Sequence, residues 1–232
     1  MCELLYVHSE RMFPIKKIFD YAELLDYFGV AGFGWGIVWK NEAGELQEYK
    51  SVDGICNDTM KRIVLSEVMA TDYLVHLRRP SLMSTIGQYN VQPYLNEKKE
   101  LAFAHNGYFA HHAKYRDEFM TDLKGNSDSE VGFCYIESEL MRGSTVQEAM
   151  VATHTALKGR ANMLLFSAAE GIFAYNGSCE NLMYRYSMDG AECISTSLHS
   201  LDNYLFESVF PKATHIERLP LDTVVNDRVK FV

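Results

Sequence analysis

Cys2 is the residue of this sequence best suited to covalent chemistry, because it directly follows Met1. Removal of Met1 would leave a thiol and a free α-amine on one residue. An α-amine titrates near about 8 and a thiol near about 8.5, so at neutral pH the amine can take the proton of its own sulfur. Cys2 would then supply both a nucleophile and its base. The alternative is a small buried hydrophobic residue in a first strand.

An arginine pair ends a predicted strand. Period-two alternation over residues 73–78 places Leu74, His76 and Arg78 on one side of that strand. At the mouth of a sheet, the guanidinium of Arg78 or Arg79 can grip a carboxylate through two parallel hydrogen bonds. Surface ion pairs are the alternative interpretation of two adjacent arginines.

The tripeptide His105-Asn106-Gly107 follows the next short strand, predicted over 101–104. An Asn side-chain amide and a Gly backbone N–H are donors suited to an oxyanion hole, and Gly lets the substrate approach the backbone closely. Asn-Gly is also a common turn dipeptide, so a simple turn remains open.

Asp128 lies in a predicted helix start. Ser127 and Glu130 have capping-box spacing, which predicts a helix running to about Met141. Asp128 can hold a cationic group such as an amino-acid ammonium. The capping and binding interpretations are compatible, because a cap fixes where Asp128 sits. A nucleophile, a carboxylate ligand, an ammonium ligand and an oxyanion hole together describe a site for an α-amino acid attacked at its side chain.

The elements that must position these residues are helices in the middle of the chain and antiparallel strands towards both ends. Apolar periodicity predicts helices over 15–28, 58–71 and 113–123. Capping-box spacing predicts the helix to about Met141 and, through Thr145 and Glu148, a further helix to about Leu157. Strands are predicted over 4–7, 37–39, 46–49, 73–78 and 101–104, and within 161–196 and 215–232. The pattern predicts an α+β fold, two packed sheets covered by helices, in a single domain over residues 1–232.

Composition excludes several classes of function. The net charge of -9 argues against nucleic-acid and anionic-membrane partners, which need a cationic face. Five scattered cysteines without a Cys-x-x-Cys pair indicate a reducing compartment and no metal site. With no signal-peptide pattern and no long apolar run, we expect a soluble, cytoplasmic protein.

Five short segments together resemble the class II glutamine amidotransferases, and they occur in that family's order along the chain. They are Met1–Leu5, Gly34–Ile37, His76–Arg78, Ala104–Gly107 and Ser127–Glu130. The likeness is strongest to small stand-alone members that carry no synthase domain. The resemblance implies an N-terminal-nucleophile hydrolase with a four-layer α/β/β/α fold and no metal or organic cofactor.

The resemblance also implies residue roles. Cys2 would be the nucleophile after loss of Met1, and Asn106 and Gly107 would form the oxyanion hole. The candidates for substrate binding are Arg78 for the α-carboxylate, Asp128 for the α-ammonium, and their neighbours Arg79 and His105. Glutamine would be hydrolysed to glutamate and ammonia through a Cys2 thioester.

Three hypotheses about function remain open at this point. A glutamine amidohydrolase could feed ammonia to a synthase partner in trans, since no acceptor-binding domain is evident. A γ-glutamyl amide or peptide hydrolase would bind the glutamyl group with the same residues. The space beyond the scissile amide would distinguish it from a glutamine amidohydrolase. A non-catalytic regulatory module is the third. The oligomeric state is left undetermined.

Overall fold

The computed structural model describes residues 2–27, 32–197 and 204–226. Its strands form two antiparallel sheets. The larger contains β1 (Glu3–Pro14), β2 (Trp35–Lys40), β3 (Leu46–Ser51), β4 (Met69–Leu77), β9 (Met183–Met188), β10 (Ala191–Thr196) and β11 (Thr214–Arg218), in the order β11-β9-β10-β1-β4-β2-β3. The smaller contains β5 (Tyr94–Leu95), β6 (Leu101–Phe109), β7 (Gly159–Ser167), β8 (Gly171–Gly177) and β12 (Val224–Asn226), in the order β12-β8-β7-β6-β5.

Helices cover the outer face of each sheet. Those associated with the larger sheet are α1 (Lys16–Tyr27), α2 (Thr59–Leu65) and α6 (Tyr204–Val209), and those associated with the smaller are α3 (His112–Arg116), α4 (Asp128–Met141) and α5 (Val146–Leu157). One apolar cluster joins α1 and α6 to the larger sheet, a second joins α4 and α5 to the smaller, and a third lies between the sheets. The predicted four-layer α/β/β/α fold is therefore confirmed.

Two predicted helix caps are present, but they differ in detail. At the start of α5, Thr145 and Glu148 form a complete capping box, with the Glu148 carboxylate accepting from the Thr145 N–H at 2.8 Å. At the start of α4, Ser127 Oγ accepts from the Glu130 N–H at 3.3 Å. The Glu130 carboxylate accepts instead from the N–H groups of residues 124–125, both at 2.8 Å. This second cap therefore also fixes the loop before Asp128.

The helix predicted over 58–71 is wrong beyond Leu65. The chain turns there and enters β4, whose Ala70 pairs with Phe13 of β1. Of the apolar residues that favoured the helix, Met60, Ile63 and Val64 are exposed within α2, whereas Val68 is partly buried against the core of the larger sheet. Sheet pairing has overridden helical periodicity at this point.

Other boundaries shift for similar reasons. The helix predicted over 113–123 ends at Arg116, although Phe119 is still buried in the core of the smaller sheet. Helix α6 was not predicted. Two final strands within 215–232 are confirmed at Thr214–Arg218 and Val224–Asn226, and residues 227–232 lie outside the described residues.

Candidate active site

The candidate residues Cys2 and Asn106 face each other at one end of the layer between the sheets. Leu4 and Tyr6 of β1, and Ala104 of β6, point into that layer. Because side chains alternate along a strand, Cys2 and Asn106 continue these two inward-facing series. Asn106 Nδ2 donates a short hydrogen bond to the backbone carbonyl of Cys2. The nucleophile and the amide predicted for the oxyanion hole are thus in direct contact.

The Cys2 thiol lies against the strand end that carries the arginine pair. Its Sγ accepts a hydrogen bond from the Arg79 backbone N–H at 3.3 Å. Burial raises the pKa of the Cys2 thiol, and the Arg79 N–H and the charge of Arg78 partly oppose that rise. The thiol is therefore mainly protonated at neutral pH and needs a base to become a nucleophile.

The two arginines occupy different environments. Arg78 is 4% exposed and donates through Nη2 to Thr85 Oγ1 at 2.9 Å. Its Nη1 is buried and has no hydrogen-bond partner within the described ranges. Burial lowers the pKa of Arg78, while the negative charge of Asp128, and that of Cys2 when its thiol is ionised, oppose the shift. Arg79 has an exposed side chain and reaches the site through its backbone.

Gly107 lies within β6, so the Asn-Gly pair is not a turn. Its φ is +139°, and a Cβ there would lie 1.8 Å from the Arg160 carbonyl oxygen. The N–H groups of the residues two positions before and after Gly107 point to the edge of β6 that faces away from β7. There the His105 N–H donates to Gln92 Oε1 (2.7 Å), and the Phe109 N–H donates to Asp128 Oδ2 (2.8 Å). By alternation, the Gly107 N–H points to the same edge.

His105 lies on the outer face of β6, away from the layer that holds Cys2. Its Nδ1 is 2.9 Å from Ser129 Oγ, and its ring stacks on Phe109 with centroids 4.3 Å apart. Burial lowers its pKa to about 4. His105 is therefore not brought together with Cys2, although it supports the strand segment that bonds Asp128.

His76 is a second buried imidazole, on the inner face of β4 between Leu74 and Arg78. It is fully buried, and neither ring nitrogen has a hydrogen-bond partner in the part of the chain that the structure describes. Burial is the main cause that lowers its pKa to about 3, and the charge of Arg78 acts in the same direction. His76 is thus neutral and weakly basic at physiological pH.

Asp128 is the first residue of α4, as the capping pattern predicts. Its Oδ2 is held by the Phe109 N–H, and its charge acts on Arg78, Tyr94 and His105. Oδ1 accepts no hydrogen bond from any described residue. Asp128 therefore keeps one oxygen for a further donor.

Asn90 connects the two ends of this site and carries no signal in the sequence. Its Oδ1 accepts from the N–H groups of Asn126 (2.9 Å) and Ser127 (3.0 Å), and its Nδ2 donates to the Thr85 carbonyl at 2.9 Å. Because Thr85 also accepts from Arg78, a continuous chain of hydrogen bonds runs from Arg78 to the residue before Asp128. The polar segment after Pro80, which contains Thr85 and Asn90, is thereby attached to the start of α4.

Neither a metal site nor a membrane span is found within the described residues. No group of three or more His, Cys, Asp or Glu side chains could hold a metal ion. No helix there has the length and apolar character to cross a bilayer.

Comparisons with solved structures find the same fold. The chain superposes on B. subtilis glutamine PRPP amidotransferase, complexed with ADP and GMP, with a TM-score of 0.73 and 20% identity, covering 98% of this chain and 48% of that one. A class-II domain protein from Silicibacter pomeroyi gives 0.61 and 21%, covering 84% and 88%. A predicted glutamine amidotransferase from Pseudomonas aeruginosa gives 0.56 and 16%, covering 97% and 96%. The chain spans about half the length of the first protein.

Sequence comparisons are more decisive about the family. No curated protein sequence matches the chain. The family model for class-II glutamine amidotransferases matches residues 1–187, which include every candidate residue described above. The chain therefore belongs to the class II glutamine amidotransferases.

Proposed function

We propose that this protein is an amidohydrolase that converts glutamine to glutamate and ammonia, with Cys2 as the nucleophile. The observation that carries the proposal is the hydrogen bond from Asn106 Nδ2 to the Cys2 carbonyl, at the same end of the inter-sheet layer as Arg78 with its unpartnered Nη1. A nucleophile, an oxyanion donor and a carboxylate ligand meet there.

Two charged groups would hold the substrate's amino-acid end. We assign the α-carboxylate to Arg78, because its buried Nη1 has no partner among the described residues, and the α-ammonium to Asp128 Oδ1. Arg79, whose side chain is exposed, contributes its backbone N–H to the Cys2 sulfur. His105 is assigned a positioning role through Phe109, rather than contact with the substrate.

The reaction then proceeds in two halves. The Cys2 thiol transfers its proton to the α-amine, and the thiolate attacks the carbonyl carbon of the γ-carboxamide to form a C–S bond. The oxyanion is stabilised by the second hydrogen of Asn106 Nδ2 and by the Gly107 N–H. The ammonium form of the amine protonates the leaving nitrogen, the C–N bond breaks and ammonia departs. Water, deprotonated by the amine, attacks the thioester, and glutamate leaves as the thiol is restored.

The α-amine of Cys2 is the base that the surroundings favour. The two nearby imidazoles, His76 and His105, have pKa values lowered to about 3 and about 4 and are poor bases at neutral pH. An α-amine has a pKa near about 8, close to the working pH. Met1, whose removal would free this amine, lies outside the described residues.

The wider setting of the reaction is part of the proposal. We propose a single glutaminase domain over residues 1–232, a cytoplasmic location, and a synthase partner in trans that receives the ammonia. A γ-glutamyl amide or peptide hydrolase would use the same binding groups and differ only in the leaving group. A non-catalytic module would leave the reactive geometry of Cys2 without a use.

Intact mass spectrometry with a glutamine-analogue diazoketone tests the proposal. We expect a mass that lacks Met1, and one adduct that maps to Cys2 and is absent from Cys2→Ala. Excess glutamine should protect against labelling, whereas excess D-alanine should not. Protein without Met1 that gains no adduct and releases no ammonia from glutamine would rule out the proposed reaction.

A substrate panel separates the two catalytic hypotheses. Ammonia release from glutamine is compared with amine release from γ-glutamyl peptides and γ-glutamyl anilides at equal concentration. A larger kcat/KM for glutamine supports the proposed function. A larger kcat/KM for a bulky γ-glutamyl compound would replace it with the alternative.

A further inference from the structure

Three asparagines lie in register across neighbouring strands of the smaller sheet. Asn106 of β6 is opposite Asn162 of β7, and Asn162 is opposite Asn176 of β8. Each is at most 1% exposed. The residues two positions before Asn106 and Asn176, and two positions after Asn162, lie in the cluster between the sheets: Ala104, Ala174 and Leu164. The three amides therefore form one polar row at the end of the layer that holds Cys2.

All three amides are bonded in the same way. Each donates Nδ2 to a backbone carbonyl outside its own strand, and each Oδ1 is buried without a partner in the residues that the structure describes. Asn106 donates to the carbonyl of Cys2, Asn162 to that of Asn181, and Asn176 to that of Leu219. A buried acceptor without a partner loses its hydration and gains no hydrogen bond in return, so each Oδ1 calls for a donor.

Asn162 is the member of the row that can meet the backbone nitrogen of Cys2. Side chains directly opposite in an antiparallel pair have Cβ atoms about 4.5–5.5 Å apart. Asn162 therefore lies directly beside Asn106, close to the hydrogen bond between Asn106 and Cys2. The Nδ2 bond to Asn181 fixes the orientation of the amide, which leaves Oδ1 as its acceptor.

The two sides of Cys2 are occupied by different partners. The thiol lies on the β4 side of β1, where Sγ accepts from the Arg79 N–H. The β10 side is bounded by Asn181, whose Oδ1 accepts from Ser197 Oγ at 2.9 Å, just after the last residue of β10. Asn162 bonds to Asn181 and so lies on the side of Cys2 away from the bond to Arg79.

We propose that Asn162 Oδ1 accepts a hydrogen bond from the α-amine of Cys2 once Met1 has been removed, and that this bond orients the amine towards the thiol. The inference rests on the proposed function in one respect, because it takes this amine as the base. Asn162 is a positioning residue, since it touches neither the substrate nor the sulfur.

Titration of the Cys2 amine tests this inference without any turnover. Protein whose intact mass lacks Met1 is treated briefly with acetic anhydride over a pH series, and acetylation of the N-terminal peptide is quantified by mass spectrometry. An acceptor bonded to the charged amine raises its pKa, so Asn162→Ala should lower that pKa and speed acetylation about 3- to 10-fold near neutral pH. Asn162→Asp should slow acetylation, because a carboxylate would hold the ammonium more strongly.

Asn176→Ala is the matched control, because Asn176 has the same bonding pattern and lies one strand further from Cys2. It should leave amine acetylation unchanged while costing similar stability. In the same proteins, Asn162→Ala should lower kcat for glutamine with little change in KM.

Equal acetylation profiles for wild type and both Asn162 variants would overturn the inference, and so would equal shifts in Asn162→Ala and Asn176→Ala. If Asn162→Ala does not fold, the direction of the shift in Asn162→Asp decides. Failure of the wild type to hydrolyse glutamine would refute the proposed function alone, because the acetylation profiles do not depend on turnover.

Discussion

The side-chain amide of Asn106 is hydrogen-bonded to the backbone carbonyl of Cys2, which joins the residue before β1 to β6 of the smaller sheet. Apolar side chains fill much of the layer between the two sheets. This polar contact therefore fixes the position of Cys2 relative to the opposite sheet. Because an Asn amide carries two hydrogens, one remains for a substrate oxyanion.

Asn106→Ala should lower kcat for glutamine about 10²- to 10³-fold, the usual effect of losing one oxyanion donor. KM should change little, since the oxyanion exists only after attack. Steady-state ammonia release measures both constants, with Asn176→Ala as a control for loss of a similar buried amide. An unchanged kcat would remove Asn106 from the mechanism.

Arg78→Lys should raise KM for glutamine about 10- to 100-fold, because hydrogen bonds to a charged group contribute about 1.5–3 kcal/mol and Lys lacks the forked geometry. Arg79→Lys is the matched control and should leave KM nearly unchanged, since its backbone N–H makes the contact. The reverse result would assign the α-carboxylate to Arg79.

Gly107→Ala should lower the free energy of unfolding by at least about 2 kcal/mol, because a positive φ is strained for Ala and its Cβ would strike the Arg160 carbonyl oxygen. Urea unfolding measures the change. The control is Gly87→Ala, where the φ of 170° is extended and no atom of the described residues lies within 4 Å of the added Cβ. Equal stability of the two variants would contradict the described course of β6.

His76→Leu should make the protein less sensitive to acid. The folded pKa of His76 is about 3, below the unfolded value of about 6.5, so the unfolded state binds more protons between these values and stability falls as pH drops. Between about pH 7 and pH 5, wild type should therefore lose about 2 kcal/mol more of its free energy of unfolding than His76→Leu. Urea unfolding at both pH values measures this.

His111→Leu serves as the control for that experiment, because His111 is exposed. It should leave the loss of stability between the two pH values as large as in wild type. If His76→Leu loses as much stability as wild type, His76 is not buried in its neutral form.

Much of the fold follows from local patterns in the sequence. The alternation of Leu74, His76 and Arg78 predicts their shared face, and capping pairs predict the starts of α4 and α5. The pattern fails at 66–71, where apolar residues support either a helix or a strand and pairing with β1 decides. Local periodicity carries no information about that distant partner.

The site was harder to predict than the fold, because its geometry depends on contacts between distant segments. Asn106 and His105 are adjacent, yet only Asn106 faces Cys2, and the distinction requires knowing that β6 continues through both residues. Asn90 and Thr85 lie in a polar segment without periodicity, and their roles depend on Asn126 and Arg78. No local pattern distinguishes them from ordinary loop residues.

The hydrogen-bond chain through Asn90 has a consequence for chirality. It fixes Arg78 relative to the loop before Asp128, while Asn106 is fixed to Cys2. Under the proposed roles, these residues hold the carboxylate, the ammonium and the side-chain carbonyl at three points that do not lie on one line. Three such points define a handed receptor, in which the mirror-image amino acid can satisfy only two contacts at once.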